Sequence, residues 1–451
     1  MKGSRILWCI IASIFVVCVA GNATAGWKED QAALFQRIQV KPGDKIDSSN
    51  WEKVKDILPP SVVNWVKKGD WILDIGELKW DYNSEPAWLE GTAANAGKYD
   101  IGAGGELVEK ATGIRPGYVD GEPFPEIDWK NDPKAGEKLV YNILVRRSRV
   151  GDFHNSWLTD WVGRRGLERT IAGDSVYRFY WSRPNGSIDN PAGSLTNELV
   201  VVKEPYDIAG IVSLTLRSID EKADQVFSYI PAIRRTKRLA GTTRSSPFMG
   251  TDFVLDDTIG WYGKNETMDW KIVGQKITLM PMPKWALDGP PQFIKQANGS
   301  WVPPAHLGSP TIGFDSPGWK GAPWAPVDLV YVPRLMYIVQ AKAKDPYYNY
   351  GDTTYYVDSM AGFSFKVIND RAGDYWKTMV LPMQVAKWGE NNKVTSVNAV
   401  AYITVDDKTD HASICNAFGK THDNNYVKVI YNTPTVKASM FSPMSLAAMS
   451  K

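Results

Sequence analysis

Cysteine is almost missing: the 451 residues hold three, Cys9, Cys18 and Cys415. The first two sit in an apolar leader, so the body of the chain has no partner with which Cys415 can form an intramolecular disulfide. Histidine is equally scarce. His154, His306, His411 and His422 are scattered without ligand spacing, which argues against a histidine-built metal centre. An excess of one charge is also lacking, with 52 Lys and Arg against 50 Asp and Glu. Lys2 and Arg5 belong to the leader, so the rest is balanced and lacks the basic surplus that phosphate backbones require; nucleic acid is not an expected partner. The chain contains no C-x-x-C, H-E-x-x-H, G-x-S-x-G or G-x-x-x-x-G-K-[ST] pattern. Gly102-Ala103-Gly104-Gly105 imitates a phosphate loop but has no strand–helix context, and it reads as an ordinary loop.

Aromatic side chains, by contrast, are plentiful: 19 Trp, 20 Tyr and 14 Phe, beside 28 Pro and 38 Gly. That profile predicts many short strands and turns around something large and apolar. The first residues have another purpose. Lys2 and Arg5 precede an apolar run over 6–20, and Ala23-Thr24-Ala25 fits the small-residue requirement of signal peptidase. A cleaved secretory leader over 1–25 is expected, with export to a bacterial periplasm. A lipid-modified Cys18 is the weaker reading, because Val16 and Val17 stand where the lipoprotein signal wants small residues. Cys415 reads as a small buried hydrophobe rather than a nucleophile, since His411 lies in a polar stretch without a nucleophile signature.

Helices are predicted over 27–39, 61–68 and 134–149. In the last, Leu139, Val140, Ile143 and Leu144 form one stripe, and Arg146, Arg147 and Arg149 follow in the final turn, where cations suit the helix dipole. Residues 69–132 are irregular and read as a wrapping extension. After residue 170 the period changes to two. Tyr177, Phe179 and Trp181 alternate with Val176, Arg178 and Tyr180, and Val212, Leu214 and Leu216 with Ser213, Thr215 and Arg217. Residues 220–224 make a turn into 225–230, and further strands fit 276–280, 335–343, 353–357, 363–368, 376–380 and 394–405. The expected fold is mainly β with helices: an incomplete, strongly curved antiparallel β-barrel covered by helices, with an N-terminal extension over 26–134 and the half-barrel over 135–451.

The acid pairs Asp256-Asp257 and Asp406-Asp407 sit beside turns and read as solvated. The basic run Arg234-Arg235-Thr236-Lys237-Arg238 follows the aromatic strand Phe227-Ser228-Tyr229-Ile230. Two readings stand side by side: an edge strand whose charges discourage sheet-to-sheet pairing, or a barrel mouth whose cations meet a polar head group.

Residues 226–250, VFSYIPAIRRTKRLAGTTRSSPFMG, with Thr251-Asp252-Phe253 and Asp256-Asp257, resemble the exported domain-of-unknown-function 1329 family, whose members are often labelled outer-membrane lipoprotein-sorting proteins. Gly121-Glu122-Pro123-Phe124-Pro125 with Asp132-Pro133-Lys134-Ala135-Gly136, Tyr177-Arg178-Phe179-Tyr180, and the stretches 355–358 and 370–376 agree in order. The resemblance implies a fold related to the LolA and LolB carriers, whose concave side holds a lipid-like guest. It implies no catalytic residues and no cofactor. It also implies company, a resistance–nodulation–division transporter and an outer-membrane protein.

The functional expectation is therefore a periplasmic binding or carrier protein for a lipid or other hydrophobic molecule. Its candidate wall is Phe227, Tyr229, Phe248, Phe253, Trp261, Tyr337 and Phe365. Arg234, Arg235 and Arg238, helped by Lys237, are expected to line or flank the opening, with Asp252, Asp256 and Asp257 as candidate partners. Two other classes remain. Trp319 and Trp324 would serve an envelope polysaccharide-binding module if they formed an exposed stacking platform. An enzyme of lipid or steroid metabolism would need a pocket carboxylate or hydroxyl of perturbed pKa, and no such constellation is visible.

Overall fold

The computed structural model describes residues 27–239, 244–420 and 426–450; the expected leader and His422 lie outside the described residues. Four helices precede the sheet: α1 (Trp27–Phe35), α2 (Pro60–Lys68), α3 (Pro86–Ala94) and α4 (Ala135–Arg147). Proline opens α2 and α3 at a position where a missing N–H costs nothing. Gly69, at φ 79°, closes α2 in the left-handed conformation that favours glycine. No helix among the described residues is long and apolar enough to cross a membrane.

The strands form one large, curved, mainly antiparallel sheet. In chain order they are β1 (Asp152–Gly163), β2 (Gly166–Phe179), β3 (Ser194–Glu204), β4 (Val212–Ser218), β5 (Gln225–Ile230), β6 (Arg235–Leu239), β7 (Met268–Pro283), β8 (Leu329–Ala343), β9 (Thr353–Asp358), β10 (Gly362–Asn369), β11 (Tyr375–Val380), β12 (Ala401–Asp406), β13 (His411–Asn416) and β14 (Val429–Tyr431). The main run is β6-β5-β4-β3-β2-β1-β13-β12-β11-β10-β9-β8-β7, antiparallel at every step. Among the described residues no pairing joins β6 to β7, so the sheet curves without closing. β14 adds to the first residues of β1, pairing Tyr431 with Phe153 and Val429 with Asn155.

The segment ahead of α4 is built into the same core. Val62, Trp65 and Val66 of α2 are buried in it, Trp65 stacks on Trp71 at 5.1 Å, and the Trp71 indole donates to the Tyr331 hydroxyl at 2.8 Å. Leu73–Ile75 pairs in parallel with β8 at Val330 and Tyr331.

Residues 394–405, expected as one strand, are two. Val394–Ala399 pairs with Met383–Trp388 in a separate hairpin, and β12 joins the main sheet. The break falls at Val400, whose N–H donates to the Pro382 carbonyl while its own carbonyl accepts from Ala417. The acid pairs also depart from expectation. Asp256 and Asp257 are buried, not solvated: Asp256 pairs with Arg244 at 2.6 Å, and Asp257 takes Lys366, the Tyr350 hydroxyl at 2.6 Å and the Val254 N–H at 2.8 Å. Asp406 is likewise buried and accepts from the Trp376 indole at 2.6 Å.

β4 and β5 present two unlike faces. On β4 the apolar stripe Val212 and Leu214 packs against Val436, Phe441 and Leu446 of the C-terminal segment. The polar stripe, Thr215 and Arg217, is buried on the opposite face. Strand alternation carries this through the register: Val212 pairs with Tyr229 and Leu214 with Phe227.

Candidate functional site

The concave face of β1–β3 is set by alternation. Phe153, Asn155, Trp157 and Thr159 of β1, Ser175, Tyr177 and Phe179 of β2, and Glu198 and Val200 of β3 all point to one side. They line a chamber of about 980 Å³, its mouth included. Met379, Tyr402 and Cys415 from β11–β13 continue the wall, and Val429 and Tyr431 of β14 close one end. Residues 248–262 and the last turn of α4 lie across it, contributing Phe248, Phe253, Leu255, Tyr262 and Arg147.

The wall is rich in aromatic side chains, and several of its rings are in mutual contact. Tyr177 stacks on Phe153 at 5.7 Å and on Phe179 at 5.9 Å, and meets Tyr262 edge-on at 5.8 Å. Trp157 meets Phe248 edge-on at 5.8 Å, and Phe248 stacks on Phe253 at 6.1 Å. Such ring pairs hold one another in place, which keeps an apolar surface open instead of letting it collapse.

Polar groups are set among the rings, and burial perturbs several of them. It pushes the Cys415 thiol up to about 12, so the thiol is neutral and unreactive at ordinary pH. It raises the Glu198 carboxyl, against the pull of Arg244 and Arg217 and a hydrogen bond with Tyr177. Burial also pushes Arg147 down to about 10, with Arg217 acting in the same direction. The Arg147 side chain donates from Nη1 to the Trp261 carbonyl at 2.7 Å and lies over the Tyr262 ring at 4.8 Å.

A second, more polar space of about 590 Å³ adjoins the chamber, sharing Arg147 and Phe179 as walls. Arg115, Arg217, Lys264 and Glu266 line it. Arg115 pairs with Glu266 at 2.8 Å and Arg217 with Asp224 at 2.6 Å, while the Lys264 ammonium donates to the carbonyls of Asp220 and Lys222 at 2.5 and 2.6 Å. Among the described residues no group of His, Cys, Asp and Glu side chains is arranged to hold a metal ion.

Of the seven aromatic residues expected to form a wall, Phe248 and Phe253 line the chamber. The other five do not. Phe227 and Tyr229 pack with Val212 and Leu214 on the opposite face of the sheet, against the C-terminal segment. Trp261 is fully buried with its indole on Trp270 at 5.4 Å, and it touches the site only through the carbonyl that holds Arg147. Tyr337 meets Trp129, and Phe365 is fully buried against Tyr356.

The basic run corresponds to β6, the outermost strand, paired only with β5. Arg234, Arg235, Lys237 and Arg238 are solvent-exposed there and make no ion pair among the described residues. The three acids expected to meet them are engaged elsewhere, Asp252 with His411 and Ser413, each at 2.7 Å. Physically, a strand with solvent on its free edge can carry charge on both faces without desolvating it. Trp319 and Trp324 form no exposed platform: Trp324 is buried under Arg164, and Trp319 is half-buried with its N–H on the Ala322 carbonyl.

Phe153, Trp157, Tyr177, Glu198 and Arg147 were not among the sequence-derived candidates. For Arg147 a signal exists, since Val140, Ile143, Leu144 and Arg147 share one helical face and the apolar stripe of α4 runs into the arginine. For β1 and β3, two-sided burial leaves no amphipathic alternation to read.

The sequence profile of the DUF1329 family, described as a protein of unknown function, matches residues 45–447. None of the proteins of curated function matches the chain. The chain is similar to a Vibrio parahaemolyticus domain described as a candidate outer membrane lipoprotein-sorting protein, at 14% identity and a TM-score of 0.45, covering 70% of this chain and 100% of that one. A DUF1329 family protein from Desulfovibrio piger gives 14% identity and 0.44 over 70% and 100%. A LolA superfamily protein from Nitrosomonas europaea gives 9% identity and 0.39 over 68% and 97%. With the profile spanning most of its length, the chain belongs to the DUF1329 family.

Proposed function

We propose that this member of the DUF1329 family is a periplasmic carrier that holds a lipid or other hydrophobic molecule in the β1–β3 chamber and hands it between envelope components. The observation that carries this reading is the chamber itself. It is a concave space, open at its mouth, whose walls combine mutually braced aromatic rings with convergent polar groups. An apolar guest entering it gains about 25 cal/mol for every Å² of apolar surface removed from water. Of the titratable groups lining it, the thiol of Cys415 is suppressed by burial, the Asp257 carboxylate is spent on Lys366 and Tyr350, and the Glu198 carboxyl is raised by burial and held by a hydrogen bond with Tyr177. The expected company, a transporter of the resistance–nodulation–division type and an outer-membrane protein, would supply the donor and acceptor.

The test is transfer. Donor vesicles carrying a pyrene-labelled lipid are mixed with unlabelled acceptor vesicles, and excimer loss is followed with and without the protein. A carrier accelerates transfer in proportion to its concentration; a rate unchanged by the protein would refute carriage.

A further inference from the structure

Arg147 is the anomaly of the site. Its side chain is buried, 8% exposed, yet among the described residues no carboxylate pairs with it. Burying a guanidinium without a counter-ion costs several kcal/mol, which natural proteins seldom tolerate without a compensating interaction. The neighbouring cations show the usual arrangement, each held by a carboxylate or by two carbonyls. Among the described residues Arg147 has one carbonyl and the face of one ring, and its buried Nε finds no acceptor. Arg217 lies over the same Tyr262 ring, also at 4.8 Å, so a like charge adds to the cost. The Arg147 side chain lies where the aromatic chamber meets the polar annex.

We propose that the guest is an amphiphile with a single oxyanion head, a carboxylate or a phosphate, held by Arg147, with its apolar body along the Phe153–Tyr177 wall. The inference rests on the carrier reading above and sharpens it from "hydrophobic" to "anionic at one end". A guanidinium suits this task because it keeps its charge when buried and carries more N–H donors than the one spent on the Trp261 carbonyl. With the Glu198 carboxyl of the same chamber pushed toward its neutral form by burial, one unpaired cation matches one negative charge. A zwitterionic or uncharged head would leave Arg147 uncompensated.

The experiment compares ligands that differ only at the head. Delipidated full-length mature protein is titrated with hexadecanoate, hexadecanol, acetate, inorganic phosphate and vesicles of dioleoylphosphatidylglycerol, with binding read by native mass spectrometry and calorimetry. Wild type is expected to bind hexadecanoate, the phosphatidylglycerol, or both, and hexadecanoate at least ~10-fold more tightly than hexadecanol if the head is a carboxylate, a difference of about 1.4 kcal/mol. Uptake of the phosphatidylglycerol without hexadecanoate assigns the head as a phosphodiester. In either case Arg147→Gln loses the anionic lipid while Arg147→Lys retains part of the affinity.

Equal binding of acid and alcohol by wild type, without uptake of the phosphatidylglycerol, would overturn the anionic head and leave the carrier reading standing. Persistence of full affinity in a folded Arg147→Gln would overturn the role of Arg147. Binding of acetate or phosphate as tight as that of the lipids would show a free-anion site and overturn the amphiphile. Failure of wild type to bind any lipid would sink the carrier reading as well. The wild-type comparison needs no variant, so the anionic head is decided even if Arg147→Gln does not fold; Arg147→Lys then tests the arginine, and affinity for the anionic lipid identical to wild type would overturn its role.

Discussion

Asp257, a lining residue of the chamber, receives the hydroxyl of Tyr350 at 2.6 Å, and both are buried. The same carboxylate takes Lys366 and the Val254 N–H, so one acid ties β10 and the strand-preceding Tyr350 to the segment that covers the site. Removing its charge strands a buried ammonium. Asp257→Asn is expected to lower the unfolding free energy by about 3–5 kcal/mol, the usual cost of breaking a buried pair from one side. Urea denaturation of the two proteins measures it, and a change below about 1 kcal/mol would show that Lys366 finds other compensation.

The chamber predicts its own blockade. Ala417 lines it beside Phe418, and Ala417→Phe places a ring where a guest would lie. Overpacking is expected to cost about 1–3 kcal/mol in stability, and lipid retained through purification should fall at least ~10-fold. Organic extraction and lipid chromatography of both proteins report the difference.

The opposite face predicts the converse. Phe227 packs with Leu214 and the C-terminal segment, so Phe227→Ala is expected to lower thermal stability and leave lipid binding unchanged. Arg235→Ala, on an exposed edge strand, should change neither. Loss of lipid by a folded Arg235→Ala would restore the basic strand as part of the mouth.

His411 gives stability a pH dependence. Its hydrogen bond with Asp252, aided by the charges of Asp252, Glu168 and Asp406, raises its pKa above the ordinary 6.5 and outweighs partial burial. A base raised in the folded state favours folding most when it is protonated in both states, below about pH 6.5. That contribution fades as pH climbs through the raised value. Urea midpoints should therefore decline between about pH 6 and the alkaline side of neutrality in wild type, with a smaller decline in His411→Gln; parallel curves would contradict this.

Much of the architecture was legible from alternation. The 212–216 and 225–230 strands, the helix ending near Arg147 and the curved antiparallel sheet are all where period and turn chemistry put them. What alternation cannot say is which face turns inward. On β4 and β5 the apolar stripe faces the C-terminal segment, and the interior receives Thr215 and Arg217. An inward-apolar assumption thus drew Phe227 and Tyr229 into the wrong layer. The true wall comes largely from β1–β3; β1 and β3 are buried on both sides, so nearly every residue there is enclosed and no stripe stands out. Asp256 and Asp257 were misread for a related reason: Lys366 and Tyr350, the partners of Asp257, come from remote parts of the chain, and Arg244, the partner of Asp256, lies twelve residues away across a turn-rich segment, so a local pattern cannot reveal them.

The central claim, a chamber that holds an amphiphilic guest, is tested most directly by native mass spectrometry of gently purified wild type beside Ala417→Phe. The account predicts a wild-type population carrying one lipophilic adduct that is released on activation, and an Ala417→Phe population that is folded and bare. Wild type recovered repeatedly without any adduct, or both proteins carrying it equally, would contradict the account.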